Sequence, residues 1–462
     1  RMDLCHTSLM DMKKFLIISM VALGLFSCKE DKKESGNDGI SVESITCSEH
    51  EVSIFRGYTT AVNVTVLPED AEDKSFSWTV ADETIAKFKD DNTILGVNVG
   101  ETWAYAISNA KPEVKDSVKI TVNAMELKSI PVTDENIHYE GRIVKGSSDV
   151  QYLYPGTSFS INFTGSSLYA DFSKVVCYYW VEVDNNEPYK LYTRSKKNWV
   201  ADNTFRIAEG LEDGEHTAKI TLCSEGIFKD PKFYGFKVDE SAEVSKPKSK
   251  TRKFEFIGNS ITCGYGTEVT NRAAFNDSTS NFCHTFAYAT AQEFDAEIMV
   301  VARSGIGIYR NYNYEDPGYG TMLDTYEKTW LKSPNNWDFS SYTPDVVFIN
   351  LGTNDTFDMS TFSSDDFESA FRSLLDKVTT YYPNSKIVLL TGSMMNDEKN
   401  ALSTVKSILD KLQADYNTNE HPCYRFDFKT VAGTGADWHP CGAQQAQMGQ
   451  DLISFLKENV IQ

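Results

Sequence analysis

The sequence predicts a multidomain chain, with two all-β sandwich domains, the second a jelly-roll, followed by an α/β domain built on a parallel sheet. Three observations lead there. At 462 residues the chain is too long for one compact core. Up to about residue 246, short runs of alternating apolar and polar residues recur between turn signals, the pattern of half-buried strands. Beyond Lys253, continuous apolar runs alternate with stretches of helical period. Parallel strands covered on both faces by crossover helices read this way.

The chain opens on a leader. Met12-Lys13-Lys14 is a positive start, Phe15 to Phe26 is an apolar run, and Leu25-Phe26-Ser27-Cys28 follows. The run is too short to span a bilayer and fits a secretory signal. Its end resembles a bacterial lipobox, which implies cleavage before Cys28 and a lipid anchor on that thiol. Residues 1–11 read as an upstream extension. Residues 28–39 are polar and charged, a flexible tether. The expected location is therefore beyond the inner membrane, lipid-anchored in the periplasm or at the cell surface.

Residues 40–125 form the first β module. Thr60 to Val66 alternates and turns at Leu67-Pro68-Glu69-Asp70, and Ser75 to Val80 alternates again. Trp103 to Ile107 and Val118 to Val122 close the series. Pro68-Glu69-Asp70-Ala71, Trp78, Ile85-Ala86-Lys87-Phe88 and Gly100-Glu101-Thr102 resemble, in that order, the bacterial Ig-like group 2 family. The resemblance implies a spacer or adhesive surface. Trp78 is expected in the core.

Residues 126–246 form the second. Ser158 to Gly165, Leu168 to Phe172, Tyr178 to Asp184, Asp213 to Leu222 and Phe233 to Val238 read as strands of a jelly-roll or similar sandwich. Most of its aromatics fall at alternating positions, which favours core packing over a sugar-binding platform. Ala242 to Lys253 reads as a linker.

From residue 250 to 462 the α/β pattern holds. Phe254-Glu255-Phe256-Ile257-Gly258 is a strand that stops and turns sharply, presenting Ser260 ahead of Gly264-Tyr265-Gly266. Glu297 to Ala302, Asp345 to Leu351 and Lys386 to Leu390 are further buried strands. Phe367, Phe371, Leu374, Leu375 and Val378 mark one helix, and Leu402, Val405, Ile408, Leu409 and Leu412 a second. A last helix starts near Ala443. Parallel sheets bind ligands beyond the carboxyl ends of their strands. Those ends carry Ser260, then Arg303-Ser304-Gly305, then Gly352-Thr353-Asn354-Asp355, with Asp437-Trp438-His439 before the last helix.

These four blocks in this order resemble the SGNH/GDSL hydrolase superfamily, with its flavodoxin-like α/β fold. Gly258-Asn259-Ser260-Ile261-Thr262-Cys263-Gly264-Tyr265-Gly266 looks most like the carbohydrate esterase family 2 acetylesterases, acetyl xylan esterases among them. The resemblance covers residues 126–462. It implies a serine esterase that removes O-acetyl groups from plant polysaccharides or oligosaccharides, xylan or glucomannan, without cofactor or metal. Ser260 is then the nucleophile and His439 the base. Asp437 or a backbone carbonyl orients His439, and Ser260, Gly305 and Asn354 form the oxyanion hole. Trp438 and Tyr309 are candidate substrate contacts. Asn259 stands where the superfamily usually has Asp. Ala436 stands where it usually has the Asp three residues before His, and residues two apart in an extended segment would place Asp437 beside His439.

A net charge of -21 argues against nucleic acid as a partner. No zinc spacing is present. Cys177 with Cys223 and Cys423 with Cys441 are conceivable disulfides in an oxidising compartment, with buried thiols the alternative. Two other functions fit the same residues. One is a glycan-binding lipoprotein with a decayed hydrolase domain, and the other a lipid esterase or thioesterase.

Overall fold

The computed structural model describes residues 39–461 apart from residues 125, 196, 202, 213, 228, 315–317 and 332. The leader, the Cys28 anchor and all of the tether except Gly39 lie outside the described residues.

Strands between Ser44 and Asn123 form sheets of two, three and four strands. The alternating run at 60–66 is not one strand. Thr59–Ala61 pairs with Thr93–Gly96, whereas Val64–Leu67 pairs with Ser44–Cys47 in another sheet. Val62, fully buried, marks the change of sheet. Alternation cannot reveal such a switch, because both halves keep period two. Trp78 is half-buried: it packs against the edge of the module's core, stacks on Phe88 at 4.1 Å and donates its indole N–H to the Asp91 carbonyl at 2.7 Å. This module docks on the next domain. Arg56 pairs with Glu209 at 3.1 Å, and the Tyr58 hydroxyl donates to the Asp239 carboxylate.

Residues 127–245 make two antiparallel sheets of seven and six strands around an aromatic core. Phe159 stacks on Phe233 at 4.4 Å, and Phe172 on Tyr179 at 4.5 Å. The segment after Ala242 is more than a linker. Val244–Ser245 adds to the strand Ser158–Thr164, and Lys250 donates to the Ala296 carbonyl at 3.2 Å.

The α/β domain has five parallel strands: β1 (Arg252–Gly258), β2 (Ala296–Ala302), β3 (Val346–Asn350), β4 (Lys386–Thr391) and β5 (Cys423–Asp427), in the order β2-β1-β3-β4-β5. Alternate strand residues serve the two faces. Ile257, Val301, Val347, Ile349 and Leu389 pack against the helices Ser364–Tyr381 and Ala401–Tyr416. Phe256, Val300, Phe348 and Leu390 pack against Phe286–Glu293 and Gly442–Asn459. The order reverses at β1, so the crevice for a ligand opens above β1 and its neighbours. Gly258 is level with Ala302 and with Asn350, which brings the loops after β1, β2 and β3 to one rim.

The sandwich and the α/β domain share a core. Tyr154 and Ile227 lie in the same buried cluster as Ile257, Val301 and Ile306. Arg142, fully buried, pairs with the equally buried Glu255 at 3.0 Å and donates to the Lys328 carbonyl at 2.8 Å. The seven described cysteines are free thiols, so neither conceivable disulfide is formed.

Candidate active site

β1 ends at Gly258, where a Cβ would lie 2.1 Å from Thr262 Oγ1. Only glycine lets the chain fold back so tightly. Asn259 then caps the four-residue helix Ser260–Cys263, its Oδ1 accepting the Ile261 N–H at 3.0 Å. The cap at the position where the sequence resemblance leads one to expect Asp is thus an amide. Ser260 takes the first helical position, and its N–H has no protein acceptor among the described residues.

His439 comes from the far end of the domain. Its Nε2 lies 2.8 Å from Ser260 Oγ. Its Nδ1 lies 3.1 Å from the Ala436 carbonyl oxygen and 3.2 Å from that of Asp437. Carbonyls only accept, so Nδ1 carries the proton and Nε2 is left free to accept from Ser260. Burial lowers the His439 pKa below its usual value, opposed by the two carbonyls and the Asp437 charge.

The side-by-side placement of Asp437 and His439 is not what the chain adopts. Residues 436–438 form a tight turn in which Asp437 and Trp438 have φ of 45° and 62°. That turn sends the Asp437 carboxylate away from the imidazole. It accepts instead from the Tyr265 hydroxyl at 2.7 Å and the Phe275 N–H at 3.2 Å. Tyr265 in turn lies over the His439 ring, with centroids 4.1 Å apart. Sequence reasoning gave Tyr265 no role, although it sits inside the quoted Gly264-Tyr265-Gly266 run. Gly266 is needed for the fit: a Cβ there would come within 2.2 Å of the Ala436 Cβ.

Ser260, Gly305, Asn354, Tyr265, Trp438 and His439 line one crevice of about 600 Å³. Asn354 donates one amide hydrogen to the Ile306 carbonyl at 2.7 Å, which fixes its plane. Beneath the rim, fully buried Asp355 accepts from the Ile308, Tyr309 and Arg310 N–H groups at 2.9, 3.0 and 3.3 Å. Burial pushes its carboxyl up to about 6, although those three donors pull it down. Asp355 therefore ties the loop after β2 to the loop after β3.

Of the two candidate substrate contacts, Trp438 is on the rim, 61% exposed. Tyr309 is not in the crevice. Its ring packs on Phe362 and Phe367, and its hydroxyl accepts from the Ser363 N–H at 3.1 Å. The loop turns between them, and Tyr312, 55% exposed, lines the site instead. The described residues contain no group of three His, Cys, Asp or Glu side chains able to hold a metal.

Residues 41–122 match the bacterial Ig-like domain (group 2), residues 139–247 the carbohydrate esterase 2 N-terminal domain, and residues 256–445 the GDSL-like lipase/acylhydrolase family. The carbohydrate esterase 2 N-terminal match thus sits directly ahead of the GDSL-like match. It is similar to the cellulase/esterase CelE of Acetivibrio thermocellus, 33% identical over 263 residues, which are 56% of this chain and 32% of that protein. The chain thus spans about a third of the length of CelE. It is also 27% identical over 343 residues to an acetylxylan esterase/glucomannan deacetylase of Cellvibrio japonicus, covering 70% of this chain and 91% of that one. A solved family two carbohydrate esterase from Clostridium thermocellum, in complex with cellohexaose, aligns with a TM-score of 0.62 at 29% identity. That alignment covers 70% of this chain and 99% of the other.

Proposed function

We propose that this protein is a carbohydrate acetylesterase that removes O-acetyl groups from plant polysaccharides or oligosaccharides, xylan or glucomannan, through an acetyl-serine. The observation that carries the reading is the 2.8 Å contact between Ser260 Oγ and His439 Nε2 inside an open crevice. Ser260 attacks the acetyl carbonyl while His439 takes its proton. The oxyanion is met by the Ser260 and Gly305 N–H groups and the Asn354 amide. His439 then hands the proton to the departing sugar hydroxyl, and water repeats the sequence in reverse. Main-chain carbonyls hold the imidazole tautomer, with Asp437 acting at one remove through Tyr265. Trp438 and Tyr312 offer aromatic faces to a sugar chain. A lipid anchor at Cys28 would keep the enzyme at the periplasm or cell surface.

The test is acetate release from acetylated xylan, glucomannan and mannan, compared side by side, with Ser260→Ala as control. Release by the wild type alone supports the reading. A glycan-binding role without catalysis is favoured by one feature, the pair of exposed aromatics at the rim. Glycan retention in affinity electrophoresis with no acetate release would replace the esterase by that role. Preference for long acyl chains in a series of nitrophenyl esters would instead indicate a lipid esterase or thioesterase.

A further inference from the structure

The loop after β2 is gripped by the neighbouring β-sandwich. Ser304, the residue before Gly305, donates its N–H to Glu225 Oε1 at 2.8 Å and its hydroxyl to Glu225 Oε2. Glu225 belongs to the sandwich, on a loop pinned by the Gly226 N–H to Leu153 carbonyl bond at 2.9 Å. The Ser304 carbonyl is held from the other side by Arg303 Nη1 at 3.1 Å. A trans peptide is planar, with its N–H opposite its C=O. Fixing the Ser304 carbonyl therefore fixes the direction of the Gly305 N–H, which has no protein acceptor among the described residues. Gly305 and Ser304 both line the crevice.

We infer that Glu225 is a positioning residue for catalysis, supplied by the β-sandwich, that aims the Gly305 N–H at the oxyanion by clamping Ser304. The carboxylate suits this task because two donors from one residue meet its two oxygens, which fixes both position and rotation of Ser304. Burial raises the Glu225 pKa above the usual carboxylate value, opposed by the two Ser304 donors and by the Arg303 and Lys229 charges, which favour the carboxylate. The α/β domain accordingly holds all three oxyanion donors but relies on the sandwich to aim one of them. This inference rests on the serine-esterase reading above.

The experiment measures kcat and KM on 4-nitrophenyl acetate for the full chain, with active sites counted by covalent fluorophosphonate labelling. Wild-type turnover and labelling that is lost in Ser260→Ala test the esterase reading independently of Glu225. Given those, Glu225→Ala is expected to lower kcat per labelled site about 10- to 100-fold with KM within about twofold, since an aimed oxyanion donor acts in the transition state. Glu225→Gln, which keeps the shape and one acceptor, is expected to recover part of that loss. In a double-mutant cycle, Glu225→Ala and Asn354→Ala should be non-additive, because both act on one oxyanion. Unchanged kcat per labelled site in both Glu225 variants, whatever their melting temperatures, would overturn the inference. A loss confined to KM would overturn it as well.

Discussion

The Asp437 carboxylate accepts from the Tyr265 hydroxyl at 2.7 Å, and the Tyr265 ring covers His439. The acid nearest in sequence to the imidazole therefore steadies it through an aromatic plate rather than by a direct bond. Ser260→Ala and His439→Ala should each cost at least about a thousandfold in kcat, since they remove nucleophile and base. Asp437→Ala and Tyr265→Phe should each cost about tenfold or less. A loss in Asp437→Ala as large as that in His439→Ala would mean that the carboxylate contributes directly. Steady-state rates on 4-nitrophenyl acetate decide this.

The acid limb of kcat/KM should fall below pH 6.5. Burial holds the His439 pKa under its usual value, so the neutral imidazole that accepts the serine proton persists into mildly acidic solution. Activity is lost only as pH drops through the lowered value. The sign for stability agrees: the unfolded chain binds this proton more tightly, so the group's contribution is present above 6.5 and shrinks as pH falls. A pH–rate profile with an acid midpoint above 6.5 would contradict the assignment of His439 as base.

Asp355 has the opposite sign. Burial raises its carboxyl from the ordinary 3.8 to about 6 in the folded protein. The native state binds the proton more tightly, so its contribution to stability is full below pH 3.8 and declines as pH rises through about 6. Asp355→Asn should flatten the stability curve between those values. Asp355→Ala should in addition cost about 3 kcal/mol by orphaning three buried N–H groups. Urea unfolding at a series of pH values reads both effects.

Arg142→Ala should lower the unfolding free energy by about 3–5 kcal/mol, because it strands the buried Glu255 carboxylate. The sandwich and the α/β domain should unfold in one calorimetric transition in the wild type, given their common core. Two separated transitions in the wild type would show that the shared contacts do not couple them.

The sequence revealed β2, β3 and β4 because each holds an unbroken run of four or more apolar residues, the mark of strands with both faces covered. β5 escaped notice because it is an edge strand, with Arg425 and Asp427 interrupting its apolar character. The four blocks at the strand ends were visible as motifs, and their meeting follows from a register that alternation cannot show. Asp437 and Tyr309 were misplaced for a common reason. Each lies in or beside a turn whose dihedrals, and not its spacing, decide where a side chain goes. Glu225 was beyond reach, since nothing in its surroundings marks a contact with Ser304, 79 residues away along the chain.

Multi-module carbohydrate enzymes are commonly pictured as beads that recombination can shuffle one at a time. The common core of Tyr154 and Ile227 with Ile257 and Val301 rules out that freedom for this pair. A gene fusion that cut at residue 250 would leave a hydrolase with an open greasy flank, and a sandwich with tyrosine and arginine facing water. The two must be inherited together, and new partners can be gained only at the outer ends of the joined unit.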